Sequence, residues 1–130
     1  MKGMNTSILV VDDDPNSLDI ARTYLESRGY TVATALDGKE ALAKLEQVRP
    51  GVVLLDVMMP GMDGWEVARV IKNHPDFKDV RVVMLTARSD FQDKHEGLRA
   101  GADDYIVKPI RLEELGQRVE RNLKARGRTV

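Results

Sequence analysis

Cysteine is absent from this chain of 130 residues, which excludes disulfides, thiolate zinc sites and a cysteine nucleophile. The chain also lacks an excess of charge of either sign, because 20 basic and 21 acidic residues leave a net charge of −1. That balance gives no indication of nucleic acid or an anionic membrane as a direct partner. We therefore expect a globular protein of the reducing cytoplasm.

Long apolar runs are missing as well. The first run, at residues 7–11, is too short for a signal peptide and ends in an acidic cluster. No run approaches the roughly 20 apolar residues of a membrane span. Repeats, low-complexity tracts and internal linkers are also absent. The length suits one domain, so we expect a single domain over residues 1–130. Its core would cover about residues 6–126, with residues 127–130 as a tail or the cut end of a linker.

Short apolar runs and segments of helical spacing alternate along the chain. The runs predict strands at residues 8–11, 31–35, 52–55, 80–85 and 105–107. A helix is predicted after each strand, including a weakly amphipathic one at about residues 89–100. Three helix starts carry clear signals, namely Asp14 before Pro15 and the capping boxes that begin at Asp37 and Asp63.

Five consecutive βα units with short connections predict a parallel sheet with helices on both faces. The first, third and fourth strands are the most apolar, so we place them in the centre and the other two at the edges. This predicts an α/β protein with a flavodoxin-like (βα)5 doubly wound sheet in strand order 2-1-3-4-5.

Polar residues stand where four of the predicted strands end. Ligands of such sheets bind beyond the carboxyl ends of the strands, so these side chains should meet in one crevice. They are Asp12 and Asp13 after the first strand, Asp56 after the third, Thr86 after the fourth and Lys108 after the fifth. Three crowded carboxylates repel one another, and a divalent cation would relieve that repulsion. Hard oxygen ligands with no histidine nearby favour Mg²⁺ over zinc.

Such a crevice is suited to holding a phosphoryl group. Lys108 would add a second positive charge, and Thr86 would add a hydroxyl donor. A carboxylate beside Mg²⁺ and a lysine can itself act as the nucleophile, which would make Asp56 the site of an aspartyl phosphate.

Four segments of the chain are similar to the response-regulator receiver domains of two-component signalling, including the chemotaxis regulators. The segments are ILVVDDD at residues 8–14, LLDVMMPGMDG at 54–64, LTA at 85–87 and GADDYIVKP at 101–109. Each is a moderate signal alone, but all four in this order and at these spacings are highly specific.

The resemblance implies a role for each acidic residue. Asp56 would accept a phosphoryl group from the phosphohistidine of a sensor histidine kinase or a histidine phosphotransfer protein. Asp13, Asp56 and the backbone carbonyl of Met58 would bind Mg²⁺ directly, and Asp12 would hold a metal-bound water. Met58 and Arg88 occupy positions that tune dephosphorylation in the family.

It implies roles for the remaining site residues too. Lys108 would contact the phosphoryl group and form a cis peptide bond with Pro109. Thr86 would move onto a phosphoryl oxygen, and Tyr105 would rotate inward to follow it.

The implied function is a phosphorylation-dependent signalling switch. The domain would phosphorylate and dephosphorylate itself without turning over an external substrate. Its output surface would lie within residues 89–126 and be read by a downstream effector or output domain. Mixed charges on that surface suggest a phosphorylation-linked homodimer as a further hypothesis. We expect no direct binding of nucleic acid by this domain and no membrane contact.

Two other functions fit parts of the sequence. An enzyme of the haloacid-dehalogenase type also uses an aspartate after a strand, and Asp12-x-Asp14 superficially fits its motif. However, Pro15-Asn16 departs from that pattern, and the chain has no room for a cap domain. The other alternative is a receiver-like binding module that has lost phosphorylation, against which the complete set of site residues counts.

Overall fold

Strands and helices alternate along the part of the chain that the computed structural model describes, which is residues 6–59, 61, 63–87 and 101–127. The strands are β1 (Ser7–Val11), β2 (Thr31–Ala35), β3 (Val52–Asp56), β4 (Arg81–Thr86) and β5 (Asp104–Val107). The helices in these ranges are α1 (Pro15–Ser27), α2 (Gly38–Val48), α3 (Gly64–Asn73) and α4 (Leu112–Gly127). The helix predicted at residues 89–100, and Arg88, lie outside the described residues.

All five strands form one parallel sheet in the order β2-β1-β3-β4-β5. The predicted strand order is therefore confirmed, with the three most apolar strands in the centre. Some strand boundaries differ by one residue from the sequence prediction. β1 already includes Ser7, and β4 begins at Arg81 instead of Val80, because backbone pairing with the neighbouring strand sets the ends, not hydrophobicity.

The core lies on both faces of this sheet. Alternate residues of a strand point to opposite faces, so Leu9 and Ile8 of β1 belong to different clusters. The first cluster packs under α2 and α3, and the second packs under α1 and α4. Because both faces of the central strands are covered, those strands appear in the sequence as continuous apolar runs.

Aspartates begin three of the helices at the edge where the strands end. Each is an N-cap whose carboxylate accepts a backbone N–H of the first turn. The bonds are Asp14 with Asn16 (3.2 Å), Asp37 with Glu40 (2.8 Å) and Asp63 with Glu66 (2.9 Å). The predicted helix starts are therefore confirmed.

A polar network ties α4 to β4 and β5. Asn122 of α4 is buried, and its amide nitrogen donates to Asp104 (3.0 Å) and to the Arg118 carbonyl (2.8 Å). Its amide oxygen accepts from the Arg81 guanidinium (3.1 Å), while Arg118 donates to Asp104 (2.7 Å). The sequence did not predict this network, since its members lie up to 41 positions apart.

Asp104 is expected to stabilise the fold in its charged form. Burial raises the pKa of its carboxyl, but the hydrogen bonds from Asn122, its neighbour's backbone N–H and Arg121, with the charge of Arg118, outweigh burial and lower the pKa below 3.8. A lowered pKa stabilises the fold above the unfolded value, and this stabilisation is lost as the pH falls through the folded value. We expect Asp104→Asn to lower the free energy of unfolding by about 1–2 kcal/mol near neutral pH.

Urea unfolding at several pH values would test this prediction. The gap between Asp104→Asn and the wild-type protein should narrow as the pH falls below 3.8, the ordinary pKa of the group. Asp19→Asn is the matched control, because Asp19 pairs with Arg22 on the surface and should matter little. Equal losses in the two variants would contradict the prediction.

Candidate functional site

Three carboxylates meet at the carboxyl ends of two neighbouring strands. Each of Asp12, Asp13 and Asp56 offers an oxygen within 4.8 Å of the other two. The register explains the meeting, because Val11 of β1 pairs with Leu55 of β3 and the chain reaches an aspartate one residue later in both strands. Asp56 and Asp12 are buried, with 3% and 8% of their surface exposed, whereas Asp13 is exposed.

Burial and the crowding of negative charge both act on Asp12. Burial raises the pKa of the Asp12 carboxyl to about 6, and the charge and hydrogen bond of Asp56 contribute in the same direction. The Asp14 N–H, which donates to Asp12 at 3.0 Å, and the charge of Lys108 act against this rise. The three carboxylates therefore carry more negative charge than the Lys108 ammonium neutralises.

Lys108, which follows the edge strand β5, reaches this acidic cluster. Its Nζ lies 3.1 Å from Oδ1 of Asp56, although 52 positions separate the two residues. The backbone N–H of Met58 donates to the same oxygen at 3.1 Å. Lys108 is anchored to β4 by a 2.8 Å bond from its N–H to the Thr86 carbonyl, and its peptide bond with Pro109 is cis. Two donors thus orient the Asp56 carboxylate.

Thr86 lies at the end of β4, and Tyr105 lies in β5. Thr86 is buried at the end of β4, and its hydroxyl donates to the Ala87 carbonyl at 3.1 Å. Tyr105 of β5 is half-buried, and its ring centroid lies 6.2 Å from that of Trp65 at an interplanar angle of 57°. The movements that the sequence predicts for these two side chains stay predictions.

The donor set fits a hard divalent cation. Among the residues that the structure describes, these aspartates form the one group of three or more acidic, histidine or cysteine side chains placed to share an ion. Carboxylate oxygens are the ligands that Mg²⁺ prefers, and the crowded charge at Asp12 is what a cation would relieve.

A shallow cavity of about 330 Å³ adjoins the site between α1 and α4. Asp12 and Lys108 line the end nearest the acidic cluster, and most other lining residues are apolar, including Leu54 and Ile110. Ile20 of α1 and Leu112 of α4 are exposed nearby, by 57% and 38%. The site thus opens beside an apolar surface.

The sequence prediction assigned no role to Gly64, which follows the cap residue Asp63. In the structure the N–H of Gly64 donates at 3.0 Å to the carbonyl of Val57, the residue that follows Asp56 in the sequence. A glycine in the first position of a helix was the available signal, but many residues are tolerated there, so the pattern alone could not identify it.

The sheet order, with carboxylates and a lysine at the switch point, defines a flavodoxin-like α/β domain. Residues 8–120 match the response regulator receiver domain family, and the chain belongs to that family. It is 43% identical over 124 residues to the DNA-binding response regulator MtrA of Mycolicibacterium smegmatis, covering 95% of this chain and 53% of that protein. The chain thus spans about half the length of the curated relatives it matches.

Solved structures agree with this assignment. The signal receiver domain of a signal transduction histidine kinase from Syntrophus aciditrophicus superposes with a TM-score of 0.88 at 37% identity, covering 96% of this chain and 95% of that one. The chemotaxis response regulator CheY4 of Vibrio cholerae gives a TM-score of 0.84 at 35% identity, covering 91% of this chain and 98% of its own. Within the described ranges, none of the helices is long and apolar enough to cross a membrane.

Proposed function

We propose that this receiver domain is a signalling switch that accepts a phosphoryl group on Asp56. The observation that carries the proposal is the position of the Asp56 carboxylate, which is buried among two further carboxylates and held at 3.1 Å by Lys108. A carboxylate with a cationic neighbour and a predicted metal site can act as a nucleophile toward phosphorus.

In the proposed reaction an oxygen of Asp56 attacks the phosphorus of a phosphohistidine or an acyl phosphate. The new O–P bond forms as the bond from phosphorus to the donor's nitrogen or oxygen breaks, and the leaving group takes that electron pair. The Lys108 ammonium balances the charge on the transferred group, and the Met58 N–H keeps the carboxylate aligned. Hydrolysis of the aspartyl phosphate by water then resets the domain, so we propose no turnover of an external substrate.

The same residues would hold Mg²⁺. We propose that Asp13, Asp56 and the Met58 carbonyl bind it directly, with Asp12 bound through a water. When bound, the ion supplies positive charge to the phosphoryl oxygens. Thr86 and Tyr105 are proposed as the residues that report the phosphorylated state to the output surface, of which residues 101–126 lie largely within the described chain.

We propose a sensor histidine kinase or a histidine phosphotransfer protein as the donor, acting in the cytoplasm. The names of the relatives support this, since one is a response regulator and another is the receiver of a histidine kinase. The apolar surface around Ile20 and Leu112 offers a place for the donor to dock beside Asp56.

The reader of the signal would be an effector or an output domain, as in the DNA-binding relatives. A receiver domain over residues 1–130 without nucleic-acid or membrane contact of its own also remains our proposal. We also propose a phosphorylation-linked homodimer. Two of the arginines on this surface, Arg118 and Arg121, pair with Asp104 of the same chain.

Incubation with acetyl phosphate tests the proposed function. We expect the intact mass of the wild-type protein to increase by one phosphoryl group when Mg²⁺ is present and to stay unchanged when EDTA replaces the ion. Peptide mapping should place the group on Asp56. An adduct on Asp12 would support the dehalogenase-type alternative, and no adduct under any condition would support a binding module.

A further inference from the structure

The first residue of α3 lies against the backbone of Asp56. Gly64 is buried, and a Cβ atom built on it would lie 2.4 Å from the Asp56 carbonyl oxygen and 2.8 Å from Cα of Val57. Real Cβ atoms essentially never come closer than 3.0 Å to another heavy atom. Both conflicts are with backbone atoms, which cannot rotate out of the way as a flexible side chain could. A side chain at this position would therefore displace either α3 or the Asp56 peptide.

Neither α3 nor the Asp56 peptide has much freedom to move. The first turn of α3 is capped by Asp63, and the helix buries Trp65, Val67 and Ile71 against the sheet. β3 lies between β1 and β4, Asp56 pairs with Leu85 of β4, and the Val57 N–H donates to the Leu85 carbonyl at 3.1 Å. Close packing of this kind transmits strain instead of absorbing it.

A small shift of this peptide would reach the carboxylate. Oδ1 of Asp56 is held by Lys108 and by the Met58 N–H, both at 3.1 Å, which is near the upper end of the hydrogen-bond range. A displacement of about 1 Å would break one or both contacts, and misplacement of that size can slow an aligned reaction about 100-fold.

We infer that Gly64 is a positioning residue for phosphorylation. Because it lacks a side chain, α3 can pack directly on the Asp56 peptide and hold the carboxylate where it meets Lys108. The inference deepens the proposed function and rests on it, since Gly64 itself touches no reacting atom.

Gly64→Ala tests the inference against Gly116→Ala. Gly116 of α4 is also closely packed, because a Cβ built on it would lie 3.1 Å from the hydroxyl of Tyr24. This neighbour is a side chain of α1, not the backbone of Asp56. The measurement is the rate of phosphorylation by acetyl phosphate at saturating Mg²⁺, with the folded fraction determined by circular dichroism. We expect the rate per folded molecule to fall about 100-fold in Gly64→Ala and to stay near the wild-type value in Gly116→Ala.

A second pair of variants decides the matter if Gly64→Ala does not fold. Asp63 caps α3 beside Gly64, and Asp37 caps α2 with the same chemistry. Asp63→Ala and Asp37→Ala should lose similar thermal stability, since each removes one N-cap. Only Asp63→Ala loosens the turn that presses on Asp56, so we expect it alone to slow phosphorylation several-fold.

The outcomes separate this inference from the proposed function. A folded Gly64→Ala that is phosphorylated at the wild-type rate would overturn the role of Gly64, and so would equal rates in the two cap variants. A purely structural role would change the melting temperature and leave the rate per folded molecule unaltered. Failure of the wild-type protein to take up a phosphoryl group would instead overturn the proposed function.

Discussion

Replacement of Asp56 by asparagine is expected to leave the protein folded and to abolish phosphorylation. Asparagine has nearly the same shape as aspartate and can still accept the Met58 N–H at the oxygen that Asp56 uses. Its neutral amide is a poor nucleophile and does not attract Lys108 as a charged oxygen does. After incubation with acetyl phosphate and Mg²⁺, the intact mass of Asp56→Asn should remain that of the unmodified chain.

Asp37→Asn is the control for this experiment. Asp37 is an exposed aspartate that caps α2, and asparagine caps a helix about as well as aspartate. We expect this variant to be phosphorylated at the wild-type rate. Retention of the adduct in Asp56→Asn would show that another residue is the acceptor, with Asp12 as the first one to examine.

Replacement of Asp12 by asparagine is expected to stabilise the protein when EDTA removes divalent cations. Burial and the neighbouring Asp56 raise the pKa of Asp12 from 3.8 to about 6. The unfolded chain therefore releases the proton at lower pH than the folded protein does. Wild-type stability should fall as the pH rises from 3.8 to about 6 and stay reduced above that range.

The expected gain in Asp12→Asn is about 2 kcal/mol near neutral pH. One pKa unit corresponds to about 1.4 kcal/mol. The expected gain in the free energy of unfolding is smaller than the full pKa shift of Asp12 would give, because solvent reaches part of the acidic cluster and screens its charges. The variant keeps an oxygen for the Asp14 N–H, so that contact should survive. Urea unfolding with EDTA would measure the gain, which should disappear below pH 3.8, where Asp12 is protonated in both states.

Addition of Mg²⁺ should reverse the order of stability. The ion neutralises the cluster in the wild-type protein, whereas Asp12→Asn loses one of the charges that hold it. A ligand that binds only the folded state stabilises it, so Mg²⁺ should raise the melting temperature of the wild-type protein more than that of the variant. Equal stability of the two proteins in EDTA across the whole pH range would show that the charged Asp12 carboxylate does not destabilise the folded protein.

Strand order and most helix starts could be predicted because their causes are local in sequence. The central strands are buried on both faces, so residues 52–55 are apolar without interruption and mark β3. Asp37 and Asp63 mark helix starts because a short carboxylate can satisfy the free N–H groups of a first turn. Strand ends were less certain, since pairing with a neighbour sets them at Ser7 and Arg81.

The sequence also predicted which side chains would meet at the site. Parallel strands bring their carboxyl ends to one edge, so the residues after them had to meet. Asp12, Asp56 and Lys108 could therefore be assigned to one crevice before any distance was known. The sequence thus determined the fold class, the strand order and the set of chemical groups at the site.

Contacts between distant segments were decided by the tertiary structure alone. The 3.1 Å approach of Lys108 to Asp56, the closeness of Gly64 to the Asp56 carbonyl and the bridge that Asn122 makes from Arg81 to Asp104 each join separate elements. Hydrophobic periodicity and capping report only on neighbours within one or two turns. Distances at the site depend on how whole elements pack, and that packing is a property of the assembled core.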